Sequence, residues 1–192
     1  MDTTEIDFYR DPDPQICQGD IFESVPHLHQ QWPLRVLRQV TAQRYGEVLQ
    51  PFGLDAPPAD GLRFERGMPE DVPASCLRTR GILLTHDCEI DKDRKYRMVA
   101  LVKPLGPLPL DDAAIIRAHR NYRYFYLPED PGRIQEAYVD FRRITSVAPE
   151  FFSSDQRIAS LTEFGRKQLL MKLVMYLTRI SPESLATLIL PQ

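Results

Sequence analysis

Proline constrains this chain more than any other feature. The 192 residues include 17 prolines, most of them before residue 150. Each one fixes its own φ, removes a backbone donor and pushes the residue before it out of the helical region. The first two thirds of the chain are therefore expected to form short strands and loops rather than long helices. Between Pro149 and Pro182 the sequence is free of proline, which leaves room for one long helix.

Hydrophobic patterning fills in this frame. Residues 19–25, Gly-Asp-Ile-Phe-Glu-Ser-Val, read as a first strand after a turn. Over residues 33–49, Leu34, Val36 and Val40 alternate like a strand, while Val36, Leu37 and Val40 also fit a helical stripe. Residues 51–73 are rich in proline and glycine and read as a long loop or insertion. Gly81-Ile82-Leu83-Leu84-Thr85 is a short apolar run of the kind a buried strand carries, and residues 96–102 return after a charged turn at residues 91–95. Asp111 and Asp112 open a short helix through Arg120, since acids favour a helix N-terminus. Residues 122–127 and 137–141 are strands rich in aromatic residues. Ser160-Leu161-Thr162-Glu163 fits a capping box with Ser160 as N-cap. Phe164, Leu170, Leu173, Val174, Leu177 and Ile180 then follow helical spacing until Ser181-Pro182. The expected architecture is α+β in one domain over residues 1–192. An extended arm covers 1–18, an insertion covers 51–73, and an amphipathic helix over 160–180 packs on a small barrel or curled sheet.

Composition excludes several classes. At 43% hydrophobic and 27% charged residues, the chain is too apolar to be disordered. No run approaches the ~18 apolar residues that span a bilayer. The acidic start, Met1-Asp2-Thr3-Thr4-Glu5, lacks the apolar segment of a signal peptide, so a cytoplasmic location is expected. Cys17, Cys76 and Cys88 include no CxxC pair and are expected to be reduced thiols. The net charge of −3 gives no general attraction to nucleic acid, but it is unevenly spread. Residues 1–96 carry 11 bases against 17 acids, and residues 97–192 carry 13 against 10. Nineteen of the 24 bases are arginine, the side chain best suited to planar contacts with phosphate or carboxylate.

The order of these elements resembles the MazF/PemK-like toxins. Gly19-Asp20-Ile21-Phe22 resembles that family's opening strand. Arg80-Gly81-Ile82-Leu83-Leu84 resembles its arginine-led apolar strand, and Met98-Val99-Ala100-Leu101-Val102-Lys103-Pro104 the next one, which also ends in proline. Residues 138–144 and 157–161 resemble the later strand and the approach to the helix. The resemblance implies an SH3-like barrel, single-stranded RNA or an antitoxin-like protein as partner, a homodimer, and a toxin–antitoxin or phage-defence setting. It also implies a metal-independent endoribonuclease using an arginine, here Arg80, with Arg78 as the off-register choice. The family's proline after that arginine is Gly81 here. Its hydroxyl partner would fall near Gly106, where no Ser or Thr stands.

Three constellations carry candidate chemistry. Thr85-His86-Asp87-Cys88-Glu89 is the densest polar cluster, at the end of the most buried strand. Continued as a strand, it puts His86 and Cys88 on one face, roughly 6–7 Å apart and too far for a direct hydrogen bond. With Arg80, the residues Thr85, His86, Asp87 and Cys88 form the candidate catalytic set. A Cys88/His86 hydrolase is one alternative, and a catalytically silent protein-interaction module is another. The pairs His27-Leu28-His29 and His86-Asp87-Cys88 have the donors of a zinc site, but the first looks like a loop and no metal is expected. Finally, Arg117, Arg120, Tyr122, Arg123 and Tyr124 interleave bases with aromatics, the mixture a single-strand-binding face needs. The sequence has no Gly-rich phosphate loop, GxSxG or HExxH motif, and no cofactor is expected.

Overall fold

The computed structural model describes residues 7–29, 36–41, 44–48, 75–90, 92 and 95–179. The proposed insertion at 51–73 lies outside the described residues. The elements run in the order β1 (Tyr9–Arg10), β2 (Asp20–His29), β3 (Val36–Thr41), β4 (Arg44–Val48), β5 (Ser75–Leu83), α1 (Asp87–Ile90), β6 (Arg97–Pro104), α2 (Leu110–Arg117), β7 (Tyr124–Leu127), β8 (Ala137–Val147), β9 (Arg157–Leu161) and α3 (Glu163–Thr178). Two compact units emerge, one from Met1–Pro26 with Arg78–Gln192, the other from His27–Leu77. In the second unit, β3 and β4 pair antiparallel, so the described parts of the ambiguous 33–49 stretch, 36–41 and 44–48, are strand.

The larger architecture is α+β: a curled antiparallel sheet of seven strands, ordered β1-β9-β2-β5-β6-β8-β7, with few helices. The continuous apolar runs follow from burial on both faces. At the end of β5, Ile82 and the following Leu84 join one core cluster while Leu83 joins another, and along β6 Ala100 and Val102 oppose Val99 in the same way. Strands covered on both sides lose the polar half of the usual alternation. The larger cluster adds Ile21, Phe125, Val139, Phe141, Leu161 and, from α3, Leu169 and Leu173. A third cluster packs Ala113 and Ile116 of α2 on Leu105 and Tyr138.

Two glycines are required by this packing. A Cβ on Gly81 would lie 2.6 Å from Val99 Cγ1, so any side chain there would force Val99 or the strand pair to shift. Gly19 has φ +88°, in the left-handed region, where the chain turns into β2. Among the described residues no helix is long and apolar enough to cross a membrane.

Several expectations need correction. Ser160 lies on β9, fully buried. Thr162 caps α3 instead, its hydroxyl accepting from Gly165 N at 3.3 Å. His27 and His29 belong to β2 rather than to a loop. Of the proposed 1–18 arm, residues 1–6 lie outside the described residues, and Tyr9–Arg10 is stitched to β9, with Tyr9 opposite Leu161. The helix after Asp111 ends at Arg117, because His119 turns left-handed at φ 55°. Most consequential, β5 stops at Leu83, and residues 87–90 form a helical turn instead of continuing the strand.

Candidate functional site

The turn after β5 is held from beneath by a buried ion pair. Asp20 Oδ2 meets an Arg157 guanidinium nitrogen at 2.8 Å, with the two side chains 1% and 3% exposed. The same guanidinium donates to the carbonyls of Gln15 (2.8 Å) and Asp13, while Cys17 N donates to Asp20 Oδ2 at 2.9 Å. This fixes residues 13–18, and Gln18 then grips the turn twice. Its backbone N–H donates to Asp87 Oδ1 at 2.6 Å and its side-chain amide to Leu84 O at 2.6 Å. Arg166 of α3 completes the clamp by donating to Asp87 Oδ2 at 2.9 Å. Asp87 is therefore a fastening, with both carboxylate oxygens engaged. Neither Asp20 nor Arg157 was singled out by sequence reasoning. The only available signal was an acid and a base within otherwise apolar strand patterns.

Once the turn is fixed, His86 and Cys88 meet. His86 Nδ1 lies 3.1 Å from Cys88 Sγ, both side chains being exposed. The expected separation of 6–7 Å assumed a strand, and the helical turn removes that assumption. Thr85 is occupied differently: its hydroxyl oxygen accepts from Met98 N at 2.7 Å. Arg80 forms a two-point ion pair with Glu23, at 2.9 and 3.3 Å. Of the five candidate catalytic residues, only His86 and Cys88 are joined by a hydrogen bond. Among the described residues no group of three or more His, Cys, Asp or Glu could hold a metal ion.

Cys17 sits beside this turn but differs in character. Burial, reinforced by the carboxylates of Asp87 and Asp20, pushes its thiol up from the ordinary value. Two open clefts, about 650 and 430 Å³, share Glu129 and Arg133. Arg133 is itself paired, at 2.9 Å with Asp11 and 3.6 Å with Asp130. Arg80 lines the smaller cleft, and no other candidate catalytic residue lines either one.

The arginine and tyrosine residues form a second site. Register breaks where β6 crosses β8: Ala100 faces Ile144, but the next residue, Leu101, faces Asp140. Phe141, Arg142 and Arg143 are thus looped out of the ladder, and Phe141 N donates to Arg123 O at 3.1 Å. Such bulges re-aim side chains. Here the bulge sends Arg142 back over Tyr124, with Cζ 5.0 Å from the ring centroid. Arg123 and Arg179 both lie over Tyr122, at 5.6 and 4.7 Å, and Arg179 also covers Tyr176 at 5.1 Å. Arg179 can do this because it ends α3 in the left-handed conformation, φ 62°.

Charge on this face is positive. Lys103 and Arg142 share the buried carboxylate of Asp140, at 3.1 and 2.9 Å. Burial pushes Asp140 up, but the hydrogen bonds and charges of these two cations outweigh it and leave the carboxyl below its usual value. Neither Arg123 nor Arg179 pairs with a carboxylate among the described residues. Their effect is visible on Tyr122, whose phenol is held below its ordinary value, first by the hydrogen bond from Arg123 and then by both charges.

The loop bearing Tyr122 is anchored by the buried Lys172 of α3, which donates to His119 O at 2.6 Å. Of the other bases expected here, Arg117 is committed. It grips Glu136 at 2.6 and 2.5 Å, and Tyr126 OH donates to the same carboxylate at 2.6 Å. Arg120 is exposed, and Arg78 lies apart, 5.9 Å over the Phe151 ring. Sequence reasoning missed Arg142, Arg179 and Tyr176, which reach the site only through the bulge and the end of α3. No protein-family model matches this chain, and comparison with characterised proteins finds no match.

Proposed function

We propose that this protein binds single-stranded RNA, as a divergent relative of the MazF/PemK-like toxins with an SH3-like barrel, in a toxin–antitoxin or phage-defence setting. One observation carries the reading: the guanidinium groups of Arg123, Arg142 and Arg179 lie over the rings of Tyr122, Tyr124 and Tyr176. An arginine held over a ring and claimed by no carboxylate among the described residues, as Arg123 and Arg179 are, keeps N–H groups for phosphate and loses little freedom on binding, whereas Arg142 is tied to Asp140 and positions the Tyr124 ring. Ring faces beside it offer stacking to unpaired bases, which a duplex cannot supply.

The proposal is binding without cleavage. The Arg80 guanidinium is met by Glu23, the Thr85 oxygen by Met98 N, and His86 Nδ1 by Cys88. Among these candidate residues no arginine–hydroxyl pair is left to activate a ribose or stabilise a developing phosphorane.

The test is fluorescence anisotropy with a labelled single-stranded RNA and the matching duplex. The single strand should bind more tightly and remain intact on a gel. Tyr124→Ala should weaken binding by about tenfold, the loss of one stacked base. Equal affinity for the duplex, or an unchanged Tyr124→Ala variant, would overturn the proposal.

A further inference from the structure

We propose that Cys88 is a reactive thiol that uses His86 as its base and forms mixed disulfides with low-molecular-weight disulfides. The pair stands apart from the arginine–tyrosine face and plays no part in the RNA reading. His86 Nδ1 is 3.1 Å from Cys88 Sγ and also accepts the Cys88 backbone N–H at 3.3 Å. Accepting that N–H requires an unprotonated Nδ1, whose single lone pair is then shared between the amide and the sulfur, so the thiol is the donor and the imidazole the acceptor. Both side chains are exposed, and a reagent can reach the sulfur directly.

The backbone selects the type of electrophile. Acyl transfer needs free N–H groups to hold an oxyanion. Here the Glu89 and Ile90 amides donate to His86 O, at 2.9 and 3.1 Å, and the Cys88 amide is spent on His86 Nδ1. Disulfide exchange needs no such donors. The Cys88 sulfur attacks one sulfur of R–S–S–R while its proton passes to His86 Nδ1. A new S–S bond forms, R–S⁻ leaves with the electron pair of the broken bond, and the imidazolium then releases its proton to water. Cys88 is oxidised and the departing thiol is reduced.

The other two cysteines provide the contrast. Cys76 is exposed and shows no histidine partner among the described residues. Cys17 is half-buried beside Asp87 and Asp20, which disfavour its thiolate. Full-length protein is incubated with oxidised glutathione, quenched with acid, and mapped by peptide mass under non-reducing conditions. Cys88 should be modified at least about tenfold faster than Cys76, in keeping with a positioned base. His86→Ala should bring Cys88 down to the Cys76 rate while leaving Cys76 unchanged, and Cys88→Ser should remove the fast reaction. Because Cys76 reports on each variant from within the same molecule, a folding defect would register as a changed Cys76 rate. The proposal fails if Cys88 reacts no faster than Cys76, or if His86→Ala leaves the Cys88 rate intact.

Discussion

Arg157→Ala tests whether the buried ion pair holds the turn that carries His86 and Cys88. With the two side chains 1% and 3% exposed, water cannot replace the lost partner. The substitution strips Asp20 Oδ2 of its charge partner, leaving the Cys17 N–H, while Oδ1 has no partner to begin with. It also removes the donor for the Gln15 and Asp13 carbonyls. Breaking a buried pair from one side costs about 3–5 kcal/mol. At about 2–4 °C per kcal/mol for a chain of this size, Tm should fall by about 6–20 °C. Differential scanning calorimetry measures this directly. Asp20→Asn combined with Arg157→Met should recover part of the loss, because it removes the stranded charge but keeps an acceptor for Cys17 N. If Arg157→Ala melts within about 2 °C of wild type, the pair does not bear on stability and the clamp argument is wrong.

Three further outcomes follow from the packing and the electrostatics. Gly81→Ala places a Cβ 2.6 Å from Val99 Cγ1 and should cost about 1–3 kcal/mol by overpacking, read from urea denaturation. Phe125→Ala empties a fully buried ring site and should cost about 3–5 kcal/mol in the same assay. Glu136 is held down to about 2 by the Arg117 hydrogen bonds, against an ordinary value of 4.5. Its contribution to stability is therefore complete above pH 4.5 and lost as pH falls toward about 2. A carboxyl NMR titration should place its midpoint near the lower figure, and a midpoint at the ordinary value would contradict the pairing.

Strands were legible in the sequence because burial imposes a pattern. Ile82, Leu83 and Leu84 are apolar in succession since both faces of the sheet are covered there. The helix α3 was legible, but its buried face was not: Phe164, Val174 and Leu177 are exposed, and Gly165, Leu169, Lys172 and Leu173 are the buried residues, while Ile180 lies outside the described residues. The end of β5 was not legible. Thr85-His86-Asp87-Cys88 carries no turn-forming glycine or proline. What folds it back is Asp87, fastened by Gln18 and Arg166 from opposite ends of the chain. Tyr122, Arg123 and Tyr124 were readable as a local mixture of bases and aromatics. Their partners Arg142 and Arg179 were not, because a bulge in β8 and a left-handed residue after α3 deliver them. Arg117 shows the opposite limit: residue type suggested phosphate, and Glu136 takes its donors.

Salt dependence of RNA binding tests the central claim most directly. If Arg123 and Arg179, which pair with no carboxylate among the described residues, each neutralise one phosphate, log K should fall with log[salt] at a slope of about −1.4 for a single strand. The double variant Arg123→Ala/Arg179→Ala should lose affinity and flatten that slope by about 1.4, as two phosphate contacts disappear. An unchanged slope in the double variant, or no RNA binding by the wild type at low salt, would contradict the account.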